Sequence, residues 1–214
     1  MLLAIDTCGT TGTLALGRLA ETDLKILGSA ELPAKQNSSE LIPQLRHMLA
    51  AGGASLAEVT AIVVVSGPGS FTGGRIGIST AKGLAAALDK PIVAVSRLAV
   101  LAAKAGTRSA VLDAGRGEFY RGEYSDGTAS EMLLTAEQAV ERAAMYGDPP
   151  AVCEPSVYAA FPRAVMVSSP AAADALHFAL PRILAVNYDD ADMLDANYLR
   201  RSDAELFLKT PQAG

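Results

Sequence analysis

The stretch from residue 61 to residue 88 constrains the fold more than any other part of the sequence. Residues 61–65 form an unbroken run of apolar, mostly β-branched side chains, which is typical of a strand buried on both faces of a sheet. A glycine-rich segment, residues 66–75, follows the run and leads into a helix predicted over residues 72–88. A buried strand, a tight corner and a helix together indicate a crossover unit of an α/β protein.

The chain before this unit predicts an antiparallel meander and one helix. Apolar runs at residues 2–6, 13–16 and 25–32 are separated by turn residues, which is the pattern of three strands. Apolar side chains at three- and four-residue steps then predict a helix that is capped by Ser38 or Ser39 and ends at residue 51. With a further strand at residues 91–95, the predicted order is βββαβαβ.

A partial second copy of this plan follows residue 96. Helices are predicted at residues 96–105, 135–144 and 174–184, and strands at 109–113, 118–124, 150–153 and 164–167, with a hairpin turn at Asp126 and Gly127. No assignment is made beyond residue 188. A hairpin-first sheet with crossovers and then a partial repeat predicts an α/β, actin-like fold. This is the duplicated ribonuclease-H-like fold of the superfamily of acetate kinase, Hsp70 and actin, here with subdomains 1–96 and 97–214.

Charge and composition exclude several classes of function. The 214 residues carry a formal net charge of −5, so no overall positive field is present to hold a nucleic-acid backbone. The two cysteines, Cys8 and Cys153, and the two histidines, His47 and His177, show no metal-binding spacing. No apolar run reaches the roughly 18 residues of a membrane span, and Asp6 interrupts the apolar N-terminus where a signal peptide would continue. We expect a cytoplasmic protein without a metal, a cofactor or membrane contact.

The glycine-rich corner admits two interpretations. Its glycines and the N-terminus of the following helix suit an anion such as a nucleotide phosphate, and acids at strand ends hold the metal in actin-fold ATPases. The segment lacks the lysine of a Walker loop, however. We favour a structural corner, and retain Asp6, Gly67, Gly69 and Asp113 as candidates for cofactor binding.

The helix after the corner has a stripe of small and aliphatic side chains. The stripe comprises Gly74, Gly77, Ile78, Ala81, Leu84, Ala85 and Leu88. Glycine inside a helix costs about 1 kcal/mol relative to alanine, so we expect close packing to offset that cost. Either the chain's own sheet or a helix of another subunit could pack on the stripe.

Several motifs together resemble one protein family. They are AIDT (residues 4–7), NSSELIP (37–43), SGPGSFTG (66–73), RIGISTAKGLA (75–85), DAGRGEFY (113–120) and YLR (198–200). The chain resembles the TsaB (YeaZ) family, closely over residues 1–125 and loosely beyond, and it shares the SGPGSFTG signature with the paralogous TsaD family. TsaD-like subunits have a His-x-x-x-His metal pair, whereas the matching residues 35–43 contain no histidine. The resemblance and this difference together indicate a subunit without catalytic activity.

The resemblance implies a role in making the threonylcarbamoyladenosine of tRNA. It implies a scaffold or activator that forms a heterodimer with a TsaD-like catalytic subunit, helps to recruit a TsaE-like ATPase and meets tRNA only through the complex. It also allows an adenine nucleotide at the subunit interface and a homodimer of the free chain. The implied interface residues are Leu41, Leu45, Met48, Gly74, Gly77, Ile78, Ala81, Leu84 and Ala85. The alternative is an enzyme acting alone, either an actin-fold ATPase or a glycoprotease-like peptidase.

Two groups of charged residues remain. Arg116, Glu118 and Arg121 are interpreted as a solvated face of a strand. Arg200 and Arg201 could touch tRNA or a partner, although two arginines are a small signal.

Overall fold

The first half of the chain supplies the strands of one mixed sheet. The computed structural model describes residues 1–33, 36–125, 127–197 and 199. The strands are β1 (Leu2–Asp6), β2 (Thr13–Ala20), β3 (Asp23–Glu31), β4 (Ala61–Gly67) and β5 (Ile92–Ser96), in the order β3-β2-β1-β4-β5. The first three strands pair in antiparallel fashion, and β1, β4 and β5 are parallel. The central strands β1 and β4 are therefore buried on both faces.

Helices cover both faces of this sheet. On one face lie α1 (Asn37–Ala51) and α2 (Phe71–Leu88), and on the other lie α3 (Arg97–Ala105) and α6 (Ala172–Leu184). Helix α6 follows the second sheet in the sequence and packs against all five strands of the first sheet. The division at residue 96 stays a prediction, and residues 172–184 contribute to the core of the first sheet.

A second sheet is built after residue 108. Its strands are β6 (Ser109–Gly115), β7 (Glu118–Ser125), β8 (Thr128–Thr135), β9 (Ala151–Val152) and β10 (Val165–Met166), in the order β10-β9-β6-β7-β8. Helices α4 (Ala136–Tyr146) and α5 (Pro155–Ala160) pack on one face. Helix α3 lies on the other face, where Leu98 and Leu101 join the core of the second sheet while Val100 joins that of the first. Two sheets that share a central helix form the duplicated ribonuclease-H-like, actin-like fold.

The predicted order βββαβαβ is confirmed, but some local predictions were wrong. Helix α1 begins after Gln36, which makes no side-chain cap, so neither Ser38 nor Ser39 is the cap. Strand β8 was missed because it is an edge strand whose residues are exposed or half-buried without alternation. Helix α5 was missed because it has only 6 residues. The predicted turn residue Asp126 lies outside the described residues. Within the described ranges, no helix is long and apolar enough to cross a membrane.

Candidate functional site

The corner between β4 and α2 packs against the turn that follows β1. The Ser70 backbone N–H donates to the carbonyl oxygen of Cys8 at 2.8 Å, and the Ser70 side chain caps α2 by accepting from the Gly73 N–H at 3.1 Å. The Thr7 hydroxyl donates to the carbonyl oxygen of Gly73 at 2.6 Å. Ser70 therefore caps the Gly73 N–H of the first turn of α2, and its own N–H holds the start of the helix against the turn after β1.

Three glycines make this close approach possible. A Cβ on Gly69 would overlap the carbonyl oxygen of Cys8, and one on Gly73 would overlap the carbonyl oxygen of Thr7. A Cβ on Gly77 would overlap the Thr7 hydroxyl. On the other side of the corner, Gly67 faces the backbone of Asn197. Backbone of this chain thus lies directly against the α-carbons of Gly67 and Gly69.

The acid at the end of β1 is buried and has a buried arginine near it. Asp6 is 2% exposed and accepts from the Cys8 N–H at 2.8 Å. Burial raises the pKa of Asp6, and the positive charge of Arg97 opposes that shift. Arg97 is itself 5% exposed and donates to the Ser169 hydroxyl at 3.0 Å; within the described part of the chain its Nε has no hydrogen-bond partner. A protein cation therefore already lies near this carboxylate.

The corresponding acid of the second sheet lies in a different environment. Asp113 is exposed, and its N–H donates to Glu154 Oε2 at 2.8 Å. Burial raises the pKa of Glu154, a shift that the hydrogen bond from Asp113 and the charge of Arg97 oppose. Among residues 1–33, 36–125, 127–197 and 199, no three His, Cys, Asp or Glu side chains are grouped to hold a metal ion. Asp6 and Asp113, the two acidic candidates for cofactor binding, thus belong to no such group.

Most of the predicted interface residues face the chain's own sheet. Seven are buried in the core beneath α1 and α2: Leu41, Leu45, Gly74, Gly77, Ile78, Ala81 and Ala85. Met48 and Leu84 are half-buried. These positions are explained by packing against the chain's own first sheet, which was one of the two interpretations of the stripe. Contact between the two helices and a partner stays a prediction, and it requires other side chains.

The side chains that a partner could contact lie on the sides of α1 and α2 that face away from the sheet. We define the outer face as Thr72, Arg75, Ser79, Gly83 and Ala86 of α2 together with Arg46 and Ala50 of α1, all of them exposed. Among the residues that the structure describes, a Cβ on Gly83 would meet no atom within 4 Å. The sequence did carry a signal for this face, because Gly83 is the one interior glycine of α2 outside the buried stripe. A surface of small side chains on α2 allows close approach of another helix.

One residue of the predicted solvated face, Arg121, belongs to a buried ion-pair cluster instead, whereas Arg116 is exposed and Glu118 half-buried. Arg121 is 0% exposed, and its Nε donates to Glu123 Oε1 at 2.8 Å. Glu123 also accepts from Arg142 at 2.8 and 2.7 Å. Burial would raise the pKa of Glu123, but the hydrogen bonds from Arg142 and Arg121 prevail and hold this pKa below its ordinary value. The prediction of a solvated Arg121 was wrong because α4 covers this face of β7.

The two sheets and their shared helix define a protein of the actin-like class. A model of the TsaD family, described as tRNA N6-adenosine threonylcarbamoyltransferase, matches residues 30–186. The tRNA threonylcarbamoyladenosine biosynthesis protein TsaB of Escherichia coli is 33% identical over 154 residues, which are 66% of this chain and 65% of that protein. The TsaB protein of Bacillus subtilis is 38% identical over 138 residues, which are 62% and 59%.

A solved structure extends the similarity over nearly the whole chain. YeaZ from Pseudomonas aeruginosa is 29% identical with a TM-score of 0.69, covering 92% of this chain and 99% of that one. The chain belongs to the TsaB (YeaZ) family, within the wider family that the TsaD model describes. It spans less than two thirds of the length of the two curated TsaB proteins. The predicted YLR element includes residues 198 and 200, which lie outside the described residues, as do Arg201 and Lys35.

Proposed function

We propose that this chain is a non-catalytic subunit in the biosynthesis of threonylcarbamoyladenosine in tRNA, and that it binds a TsaD-like catalytic paralogue through the outer face. The names of the TsaB relatives support the pathway. The match to the TsaD model supports a paralogue as the partner, because related subunits can pair equivalent surfaces in a pseudo-symmetric dimer.

The main support for the proposed partner surface is the open space above Gly83. Between Ser79 and Ala86 the exposed side of α2 has no side chain longer than that of serine, and α1 lies beside it. Helices with small residues at the contact approach each other closely and gain dispersion contacts over a wide area. An uncovered glycine inside a helix is otherwise a cost of about 1 kcal/mol. A partner helix packed on Gly83 would offset that cost.

The filled corner supports a role without catalysis. Gly69 and Gly73 contact the turn after β1, and the positive charge of Arg97 acts on Asp6, which supports a corner that serves the fold rather than a metal nucleotide. An isolated enzyme, whether ATPase or peptidase, would need a nucleophile, a base or a metal in reach of a substrate. The proposal therefore assigns the chemistry to the TsaD-like partner.

The remaining parts of the proposal concern the assembled complex. The net charge of −5 opposes direct binding of a phosphate backbone, so tRNA is contacted mainly by the partner. The TsaE-like ATPase joins the assembled pair rather than this chain alone. In the absence of the partner, the outer face pairs with a second copy at high concentration, because the small side chains around Gly83 let two copies of α2 approach each other closely.

Substitution of Gly83 tests the partner surface. Gly83→Arg places a long charged side chain on the outer face without touching the core, and Ala144→Arg places the same side chain on an exposed position of α4. We expect Gly83→Arg to abolish co-purification with the TsaD-like subunit and Ala144→Arg to retain it, with both variants folded by circular dichroism. Retained binding by Gly83→Arg would contradict the proposed surface.

A further inference from the structure

The segment after α6 lies across the edge of the first sheet. We call residues 189–197 the C-terminal strap. At its start, the Asp189 N–H donates to the carbonyl oxygen of Ile92 at 2.9 Å, and Asp189 Oδ2 accepts from the Ala94 N–H at 2.7 Å. Asp189 Oδ1 also accepts from Arg182 at 2.9 Å. The strap therefore pairs with β5 and begins with a carboxylate that is held on two sides.

Further along, the strap follows α2 to its N-terminal corner. Lys82 of α2 donates to the carbonyl oxygens of Leu194 at 3.2 Å and Asp192 at 3.4 Å. Side chains of Ala191, Leu194 and Ala196 pack against the core beneath α1 and α2. At the end of the strap, the Asn197 N–H donates to the carbonyl oxygen of Ser66 at 2.8 Å, where the corner begins.

A carboxylate of the second sheet holds this end of the strap. Glu131 of β8 accepts from the Asn197 side-chain amide at 2.5 Å through Oε2 and from the Tyr124 hydroxyl at 2.6 Å through Oε1. Burial, and then the charge of Glu131, raise the pKa of Tyr124, so its hydroxyl remains a donor at neutral pH. Hydrogen bonds to a charged acceptor are stronger than neutral ones. The second sheet is thereby linked to the corner through one side chain.

We infer that Glu131 is a positioning residue that couples the second sheet to α2 through Asn197. The strap contacts α2 at Lys82 and the corner at Ser66, so its placement sets the position of the helix that carries the outer face. This inference rests on the proposed function, because it treats α2 as the partner-binding helix. Loss of the Glu131 link would loosen the end of the strap and let α2 shift away from the geometry that the partner requires.

Two variants separate this coupling from a merely structural bond. Asn197→Ala removes the link between strap and second sheet but keeps the Tyr124–Glu131 hydrogen bond and the Asn197 backbone N–H. Glu131→Ala removes both hydrogen bonds. Glu141→Ala, on the exposed side of α4, is the control. Amide hydrogen exchange of peptides covering the strap and the corner reports the link without a partner, and titration with the TsaD-like subunit reports its effect on binding.

We expect exchange in the strap to quicken about tenfold in both variants, as for loss of one charge-assisted hydrogen bond, and affinity for the TsaD-like subunit to fall about three- to tenfold. Glu141→Ala should change neither quantity. Faster exchange with unchanged affinity would overturn the coupling and leave the proposed partner surface intact. Unchanged exchange in Asn197→Ala would overturn it as well. If the unsubstituted chain did not bind the TsaD-like subunit, the proposed function would fail, and the coupling to a partner with it.

Discussion

Thr7 and Gly73 are joined by a hydrogen bond of 2.6 Å between the threonine hydroxyl and the glycine carbonyl oxygen, 66 residues apart in the sequence. The same two residues meet a second time, because the carbonyl oxygen of Thr7 lies where a side chain at position 73 would begin. The end of β1 and the first turn of α2 are thus in direct backbone contact. This contact accounts for the glycine at position 73.

Gly73→Ala should destabilise the protein strongly. Its Cβ would overlap the backbone oxygen of Thr7, which cannot rotate away as a flexible side chain would. Overpacking of this kind costs about 1 to 3 kcal/mol. Urea unfolding should show a lower midpoint at an unchanged slope. A midpoint equal to that of the unsubstituted protein would contradict the close contact.

Gly83→Ala should have the opposite effect. The added methyl group meets no atom within 4 Å, and alanine is favoured over glycine inside a helix by up to about 1 kcal/mol. The thermal midpoint of the isolated chain should rise by a few degrees. Because Gly73 and Gly83 lie in the same helix, the pair forms a matched test of which side of α2 is covered. A lower midpoint would show that Gly83 is covered in the free chain.

Thr7→Val should lower stability by about 1 to 2 kcal/mol. Valine keeps the shape of threonine but removes the hydroxyl that donates to the Gly73 carbonyl oxygen, and a buried acceptor is then left without that partner. Comparison with Thr7→Ser, which keeps the hydroxyl, isolates the hydrogen bond from the loss of a methyl group. Equal losses in the two variants would argue that packing, not the hydrogen bond, matters here.

The cluster around Glu123 should make stability fall at acid pH. Hydrogen bonds from Arg142 and Arg121 hold the pKa of Glu123 below its ordinary value in the folded state. A carboxyl group with a lowered folded pKa contributes stability above its unfolded pKa, and this contribution is lost as pH falls through the folded pKa. Arg142→Ala should lower stability at pH 7 by about 1 kcal/mol, a modest value because Arg142 is largely exposed.

The difference in stability between Arg142→Ala and the unsubstituted protein should shrink as pH falls from the ordinary pKa of glutamate through the lowered folded pKa of Glu123, because below that folded pKa both proteins carry a protonated Glu123. Urea unfolding of both proteins at several pH values from pH 7 to pH 3 measures this difference in the free energy of unfolding. A difference that stays constant over this range would show that Arg142 acts through packing alone.

Local patterns were sufficient to predict the order of elements in the first sheet. The apolar run before Ser66 and the alternating runs before residue 32 identify strands from their own composition, and the motif around Gly69 carries the family resemblance. A stripe such as Gly77 and Ala81 shows only that one side of a helix is covered. The stripe is covered in part by the turn at Thr7. That contact joins residues far apart in the sequence, so the periodicity of the helix could not predict it.

Burial of charge was equally beyond local pattern. Arg121 belongs to a stretch with charges on both sides, which is typical of a solvated strand, yet α4 lies over it and Glu123 neutralises it. The link from Glu131 to Asn197 joins β8, an edge strand without clear alternation, to a segment without regular structure. Nothing in the sequence around Glu131 or Asn197 indicates that these two residues form a hydrogen bond.

Reconstituted tRNA modification tests the central claim most directly. Formation of threonylcarbamoyladenosine is measured with the TsaD-like and TsaE-like components held constant, in the presence of this chain, of its Gly83→Arg variant, or of neither, and this chain is also assayed alone. The account predicts modification only with the unsubstituted chain and no turnover by the chain alone. Modification that proceeds equally without the chain, or ATP turnover by the isolated chain, would contradict it.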